Sequence, residues 1–345
     1  MVTDISPAGG KRMRLSEVSR SALIMMAAAI VLLLPAGSYA NPVFTYDFTG
    51  GGFGAGFMAQ MNTALAIADH ELSALFSNNA HINIQYQATT ATGLADSNFS
   101  IGDFPPPYNG GGMAYATAKA ITAAHSALHP ENTALASTVA NLPATMWACP
   151  SCDNTRGTPQ FILPDAERMA LTGVGTGFTY QGYIRINPNF SYDADRSPIG
   201  AGQIDLVAVL EHEITHVMGR VNYAFVGNAN PFMTFMDMDR FNCGTSTHNT
   251  VSTNACLSID GGATDLRQWS SISDTGDWDG AQLSPDNAFI NFATIYGPFG
   301  SRSYDVLNMN ALGWDPVASQ SAPGPSALVL LVVGLLGLGL KRRYR

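Results

Sequence analysis

Two histidines four residues apart with a glutamate beside the first, in His212-Glu213-Ile-Thr-His216, are the groups of this chain best suited to chemistry. On a helix that spacing sets two imidazoles about 40° apart around the axis and one turn apart along it. Their nitrogens can then bind one Zn²⁺ at about 2.0–2.1 Å, and Glu213 stands where it can take a proton from a water that the ion activates. The reaction this points to is peptide hydrolysis, with Glu213 as base toward the water and later as proton donor to the leaving amine. His70-Glu71 is the only other His-Glu pair before a helical stretch, but Ala74 occupies its fourth position, so the arrangement is not repeated.

A helix must carry these side chains. At 100° per residue, Gln203, Leu206, Val207, Leu210, Ile214 and Val217 gather within an arc of about 100°, with His212 and His216 on the other side. The pattern predicts a helix from about Gln203 with an apolar core face and a histidine face, ended by Gly219 in the left-handed conformation. Asp205 falls on the histidine side, where it serves either to support the ligands or to favour the first turn through the helix dipole. A catalytic zinc takes three protein ligands and leaves a fourth position to water. Asp237 and Asp239 in Met236-Asp-Met-Asp-Arg-Phe241 are candidates for the third, and His248 is another.

Upstream, the spacing predicts a helix over 57–76, a short strand of period two over 82–86, and a second, Ala-rich helix over 113–129 ended by Pro130. A Gly/Pro-rich loop at 104–112 separates them. Alternation over 178–187 reads as a strand just before the histidine helix, and residues 183–187 are either an ordinary buried strand or a cleft edge that could pair with an extended peptide. Together these make an α+β domain. Residues 41–316 are enough for one domain with a substantial core, and no internal repeat divides them.

The ends read as addresses. Residues 1–40 hold a basic start, an apolar run from Ala22 to Pro35 and small residues at Ser38 and Ala40, the layout of a cleaved export signal. Residues 317–345 hold Pro323-Gly-Pro325, an apolar run from Ser326 to Leu340 and Lys341-Arg-Arg-Tyr-Arg345, a short membrane tail with a basic stop. Export favours disulfides among the four cysteines. Of the three possible pairings, the short loops Cys149–Cys152 and Cys243–Cys256 are the ones expected.

The formal net charge is −9, and it conceals a more acidic body. With four basic residues before residue 40 and four after residue 340 set aside, nine Lys/Arg face 24 Asp/Glu in 41–316. Such a surface repels phosphate backbones, which argues against a nucleic-acid partner. Its acidic segments, Asp193-Ala-Asp195, Ser258-Ile-Asp-Gly-Gly262 and 274–279, are candidate sites for structural Ca²⁺.

The blocks His212-Glu-Ile-Thr-His-Val-Met-Gly-Arg220, Met236-Asp-Met-Asp-Arg-Phe241, Ser258-Ile-Asp-Gly-Gly262, Gly276-Asp-Trp278, Asp286-Asn-Ala-Phe289 and Ser303-Tyr-Asp-Val-Leu-Asn-Met-Asn-Ala-Leu-Gly-Trp314, in this order, resemble a family of exported bacterial zincin metalloproteases with PEP-CTERM tails. The resemblance implies a zincin or metzincin-like α+β fold, with a mixed sheet, the histidine helix and a closing helix packed against it. It also implies a peptide or protein substrate. Its sorting tail implies an exosortase-type partner and a place at the cell envelope, anchored through the tail or released. In metzincins the third ligand stands three residues after the motif glycine, and here that residue is Asn222, a poor ligand. The family's Leu-Asp-Leu-Phe-Arg block places Asp237 at its aspartate, so the expected metal set is His212, His216 and Asp237, with Glu213 catalytic. In the closing block Met309 is expected in the core. Asn222 and the tail also leave room for a zincin-like surface or matrix protein without turnover.

Overall fold

The computed structural model describes residues 40–90, 93–99, 113–144, 160–175, 177–195, 198–222, 232–249, 254–271, 274, 276–279 and 304–317. Ala40–Ala318 form one compact unit, divided from the two chain ends. The export signal, the apolar tail, the 104–112 loop, Cys149, Cys152 and the Asp286 block lie outside the described residues. Among the described residues no helix is long and apolar enough to cross a membrane.

Strand β1 (Val43–Asp47), helix α1 (Ala55–Leu75) and strand β2 (His81–Ala88) open the fold. The helix carries the chain back so that β2 lies parallel to β1, with Phe44 opposite Ile82; parallel neighbours require such a crossover. α1 covers the helix predicted over 57–76 and buries Met61, Leu65 and Leu72. Next come β3 (Ala95–Phe99), α2 (Tyr115–Leu128), α3 (Thr133–Asn141), the two-residue β4 (Gln160–Phe161), α4 (Asp165–Thr172) and β5 (Gly182–Ile186).

β5 inserts between β2 and β3, parallel to the first and antiparallel to the second, giving a mixed sheet in the order β1-β2-β5-β3. The fold class is therefore α+β, as the pattern predicts, and the sheet is mixed, as the resemblance implies. One expectation is corrected here. The strand read as a cleft edge is internal, hydrogen-bonded on both sides, and the end position on that side belongs to β3. Its alternation is real, with Gly182, Ile184 and Ile186 buried and Tyr183 exposed, but alternation reports the two faces of a strand and says nothing of its neighbours.

The short strands β6 (Tyr192–Asp193) and β7 (Ile204–Asp205) pair in parallel and deliver the chain into α5 (Leu206–Val217), the histidine helix. α5 packs against α1, β3 and β5. The contact with the sheet depends on Gly182, where an added Cβ would lie 2.7 Å from the Val217 side chain. Beyond α5 lie β8 (Phe232–Met233), the one-turn α6 (Phe235–Met238), an antiparallel ribbon of β9 (Arg240–Asn242), β10 (Ala255–Leu257) and β11 (Arg267–Gln268), and α7 (Tyr304–Ala311). The expected Cys243–Cys256 disulfide closes the loop between β9 and β10. α7 packs on α3, and past its end the indole of Trp314 donates to the Met218 carbonyl at 3.0 Å, tying the closing segment to the end of α5. Met309 is fully buried in the core, as expected.

Candidate metal centre

α5 begins three residues later than the pattern predicts. Asp205 is its N-cap, accepting a hydrogen bond from the Ala208 amide at 3.0 Å, so it satisfies the first turn. Gln203 lies outside the helix and donates to the Tyr192 carbonyl. All twelve residues of α5 are buried, the histidine face included, because β3, β5, α1 and the segment 276–279 surround it. A helix enclosed on every side holds its polar groups in fixed positions at low dielectric.

Gly219 follows with φ +117°, a left-handed conformation that turns the chain back. A Cβ there would also strike the Glu167 carboxyl at 2.7 Å. The turn sets Arg220 beneath the end of the helix, where its carbonyl lies 2.6 Å from His216 Nδ1. Nδ1 must then carry the proton, which leaves the Nε2 lone pair of His216 free for a metal.

Among the described residues, the carboxylate that joins the two imidazoles is Asp277. His212 Nε2 and His216 Nε2 are 3.3 Å apart, and Asp277 Oδ1 is 3.3 Å from the first and 3.4 Å from the second. For an ion with bonds of about 2.0–2.1 Å in tetrahedral coordination, the ligand atoms stand about 3.3 Å from one another. The three atoms thus form one face of such a tetrahedron, so two neutral imidazoles and a carboxylate fit zinc in both donor type and spacing. Burial alone would raise the Asp277 pKa, but in the metal-free protein the charge of the imidazoles when protonated, a hydrogen bond from His216 and the Arg220 guanidinium hold it well below the usual carboxylate range.

The segment bearing Asp277 is held from several sides. The Asp277 carbonyl accepts from Ser270 N at 2.7 Å, and the Trp278 ring stacks on Trp269 at 4.1 Å. The Trp278 indole donates to Asp305 of α7 at 2.6 Å. Asp274 Oδ2 lies 3.8 Å from His216 Nε2, with its side chain more than half exposed.

Glu213 is buried beside this group and receives a hydrogen bond from the Ser97 hydroxyl of β3. Burial pushes its pKa up to about 7, against the lowering influence of His216, Ser97 and Arg220 and with a further rise from Asp277. A carboxylate poised there is matched to proton transfer near neutral pH.

The other expected ligands have different partners. Asp237 is fully buried in α6, where its carboxylate accepts from the Thr234 amide at 2.8 Å while its own amide donates to Thr234 Oγ1 at 3.4 Å, a capping box. The block that resembles the family pattern is here a helix start, and the aspartate grouped with the two imidazoles is Asp277. Asp239 accepts from Thr138 at 3.2 Å, with its pKa driven well up by burial. His248 stacks on Phe241 at 4.2 Å. Asn222 is buried. Asp277 was visible only as the middle of Gly276-Asp-Trp278 and as one acidic residue of a segment considered for Ca²⁺. It lies far downstream of His216, beyond the reach of any local spacing rule. In the other two acidic segments, Asp260 accepts from Ser258 and Thr264, and Asp193 accepts from the Asp195 amide, bonds internal to their own turns.

Comparison with family models, with curated proteins and with solved structures finds no match to this chain. The functional reading therefore rests on the geometry.

A second His-x-x-x-His pair also gathers around an aspartate. His125, near the end of α2, and His129, its C-cap, both meet Asp315 just beyond α7.

Proposed function

We infer that this protein is an exported zinc-dependent endopeptidase of zincin type, acting at the cell envelope. The observation that supports the reading most is the triangle of His212 Nε2, His216 Nε2 and Asp277 Oδ1, spaced as the face of a zinc tetrahedron with Glu213 beside it. His212, His216 and Asp277 would hold the ion, leaving one position open. When bound, zinc supplies the Lewis acidity that polarises a scissile carbonyl and acidifies a water.

The chain's own residues do the rest. Glu213, whose carboxylate is hydrogen-bonded by Ser97, accepts the proton of the attacking water and returns it to the nitrogen of the leaving amine. β3, at the end of the sheet beside α5, offers backbone groups for pairing with an extended substrate strand. A mixed sheet with the histidine helix packed against it is compatible with the zincin resemblance.

The full chain should contain about one zinc per molecule and cleave peptides. Glu213→Gln should retain the zinc while peptide hydrolysis falls by at least roughly 10²-fold. A metal-free protein from a metal-replete preparation would overturn the reading. Hydrolysis that persists in Glu213→Gln would remove its mechanism.

A further inference from the structure

One residue outside the ligand set makes hydrogen bonds to all three members of it. Arg220 is fully buried. Through Nη1 it donates to Asp277 Oδ1 and to the Gly276 carbonyl, both at 2.7 Å. Through Nη2 it donates to the His212 carbonyl at 3.0 Å, and through Nε to Thr215 Oγ1 at 3.1 Å. Its own carbonyl holds His216 Nδ1. The guanidinium thus has one edge on α5 and one corner on the segment that bears the third carboxylate.

α5 and residues 276–279 are remote in sequence, and no secondary-structure pairing joins them directly. Beside the Ser270 and Trp278 contacts of its segment, the Asp277 carboxylate itself is met by a rigid planar fork with donors at fixed angles. A flexible ammonium of the same charge could satisfy Asp277 or the helix carbonyl, but not both with the same geometry. The placement also depends on Gly219, whose positive φ lets the Arg220 amide return to the Thr215 carbonyl at 3.0 Å.

We propose that Arg220 is the positioning residue of the metal centre, fixing Asp277 at ligand distance from His212 and His216 and locking the His216 tautomer through its carbonyl. This rests on the metal-centre reading above. It assigns Arg220 no contact with substrate. Its role is to make the third ligand available before an ion arrives, so that binding requires little rearrangement.

The test compares the unaltered full chain with Arg220→Lys and Thr215→Val. Zinc affinity is measured by chelator competition, the visible absorption of the Co²⁺-loaded protein reports ligand geometry, and circular dichroism of the metal-free protein reports folding. Arg220→Lys should keep the fold but bind zinc about 10–100-fold more weakly. Its Co²⁺ spectrum should lose the intensity of a four-coordinate site. Thr215→Val, which removes one acceptor of the fork, should weaken binding by a few-fold and carries the test if Arg220→Lys does not fold. Wild-type zinc affinity and an unchanged Co²⁺ spectrum in a folded Arg220→Lys, or in Thr215→Val where that variant carries the test, would overturn the proposal while leaving the protease reading intact. Failure of the unaltered chain to bind either metal would overturn both.

Discussion

On α5, His212 and His216 stand with Asp277 across gaps of 3.3–3.4 Å; at the end of α2, His125 and His129 meet Asp315 at 2.8 and 2.9 Å. Both pairs have the same spacing in sequence and both face one buried aspartate. The half-ångström difference separates their roles. In the first group the atoms are too far apart for good hydrogen bonds and correctly spaced around an ion. In the second, both nitrogens bond directly to the same oxygen, Asp315 Oδ2. Asn78 and Asn132 donate to the same carboxylate, leaving it fully satisfied. The rings differ too: those of α5 meet at 74°, whereas His125 and His129 stack at 15°. His129 is the C-cap of α2, with φ −121° and ψ 64°, so it has left the helix and the four-residue spacing no longer sets its direction. Both groups could hold a metal ion; the first has the spacing of zinc ligands, while the second, as it stands, ties the closing segment 314–316 to the domain through hydrogen bonds.

The largest effect should come from Asp277→Asn. Zinc affinity should fall by at least the roughly 10–100-fold that outer partners contribute. The buried Arg220 loses its counter-ion at the same time, which costs about 3–5 kcal/mol of stability. Chelator competition and denaturant unfolding measure the two, and unchanged zinc binding would break the contrast from its first side.

Asp315→Asn tests the other side. Burial would raise the Asp315 pKa, but the bonds from His125, His129 and Asn132 hold it at about 2. The folded value lies below the unfolded one of about 3.9, so this carboxylate's stabilisation is complete above about pH 4 and lost as pH falls toward 2. Unfolding of the metal-free chain should therefore lose roughly 2 kcal/mol more between pH 5 and pH 2 than the variant does. Zinc content should stay at about one per chain in both. Two ions per chain, one of them lost in Asp315→Asn, would show that the second group also binds metal.

Asp237→Ala is expected to do least. Loss of the capping box should cost about 1–2 kcal/mol, read from thermal unfolding, with zinc affinity unchanged. A fall in affinity like that of Asp277→Asn would return Asp237 to the ligand set.

Much of this molecule is legible along the chain where the cause is local. α1, β2, α2 and α5 follow from periodicity, Gly219 from its place after the histidines, and Cys243–Cys256 from a short loop. The errors share a cause. The pattern over 183–187 identified a strand correctly but could not rank it against β3, since sheet order is set by which strands meet after folding. The Asp237 block drew attention because it lies close to the motif in sequence, while in space the aspartate beside the imidazoles comes from beyond the whole β9–β11 ribbon. Its identity needed Arg220 and the Trp269–Trp278 stack to bring that segment to α5.

By itself the amino-acid order determined that this chain has a helix able to present two imidazoles and a carboxylate, because neighbours on one helix are positioned by the backbone alone. Only the tertiary structure decided which of two such histidine pairs keeps ion-sized gaps and which closes into hydrogen bonds. That spacing depends on contacts between segments remote in sequence, which no local pattern along the chain encodes.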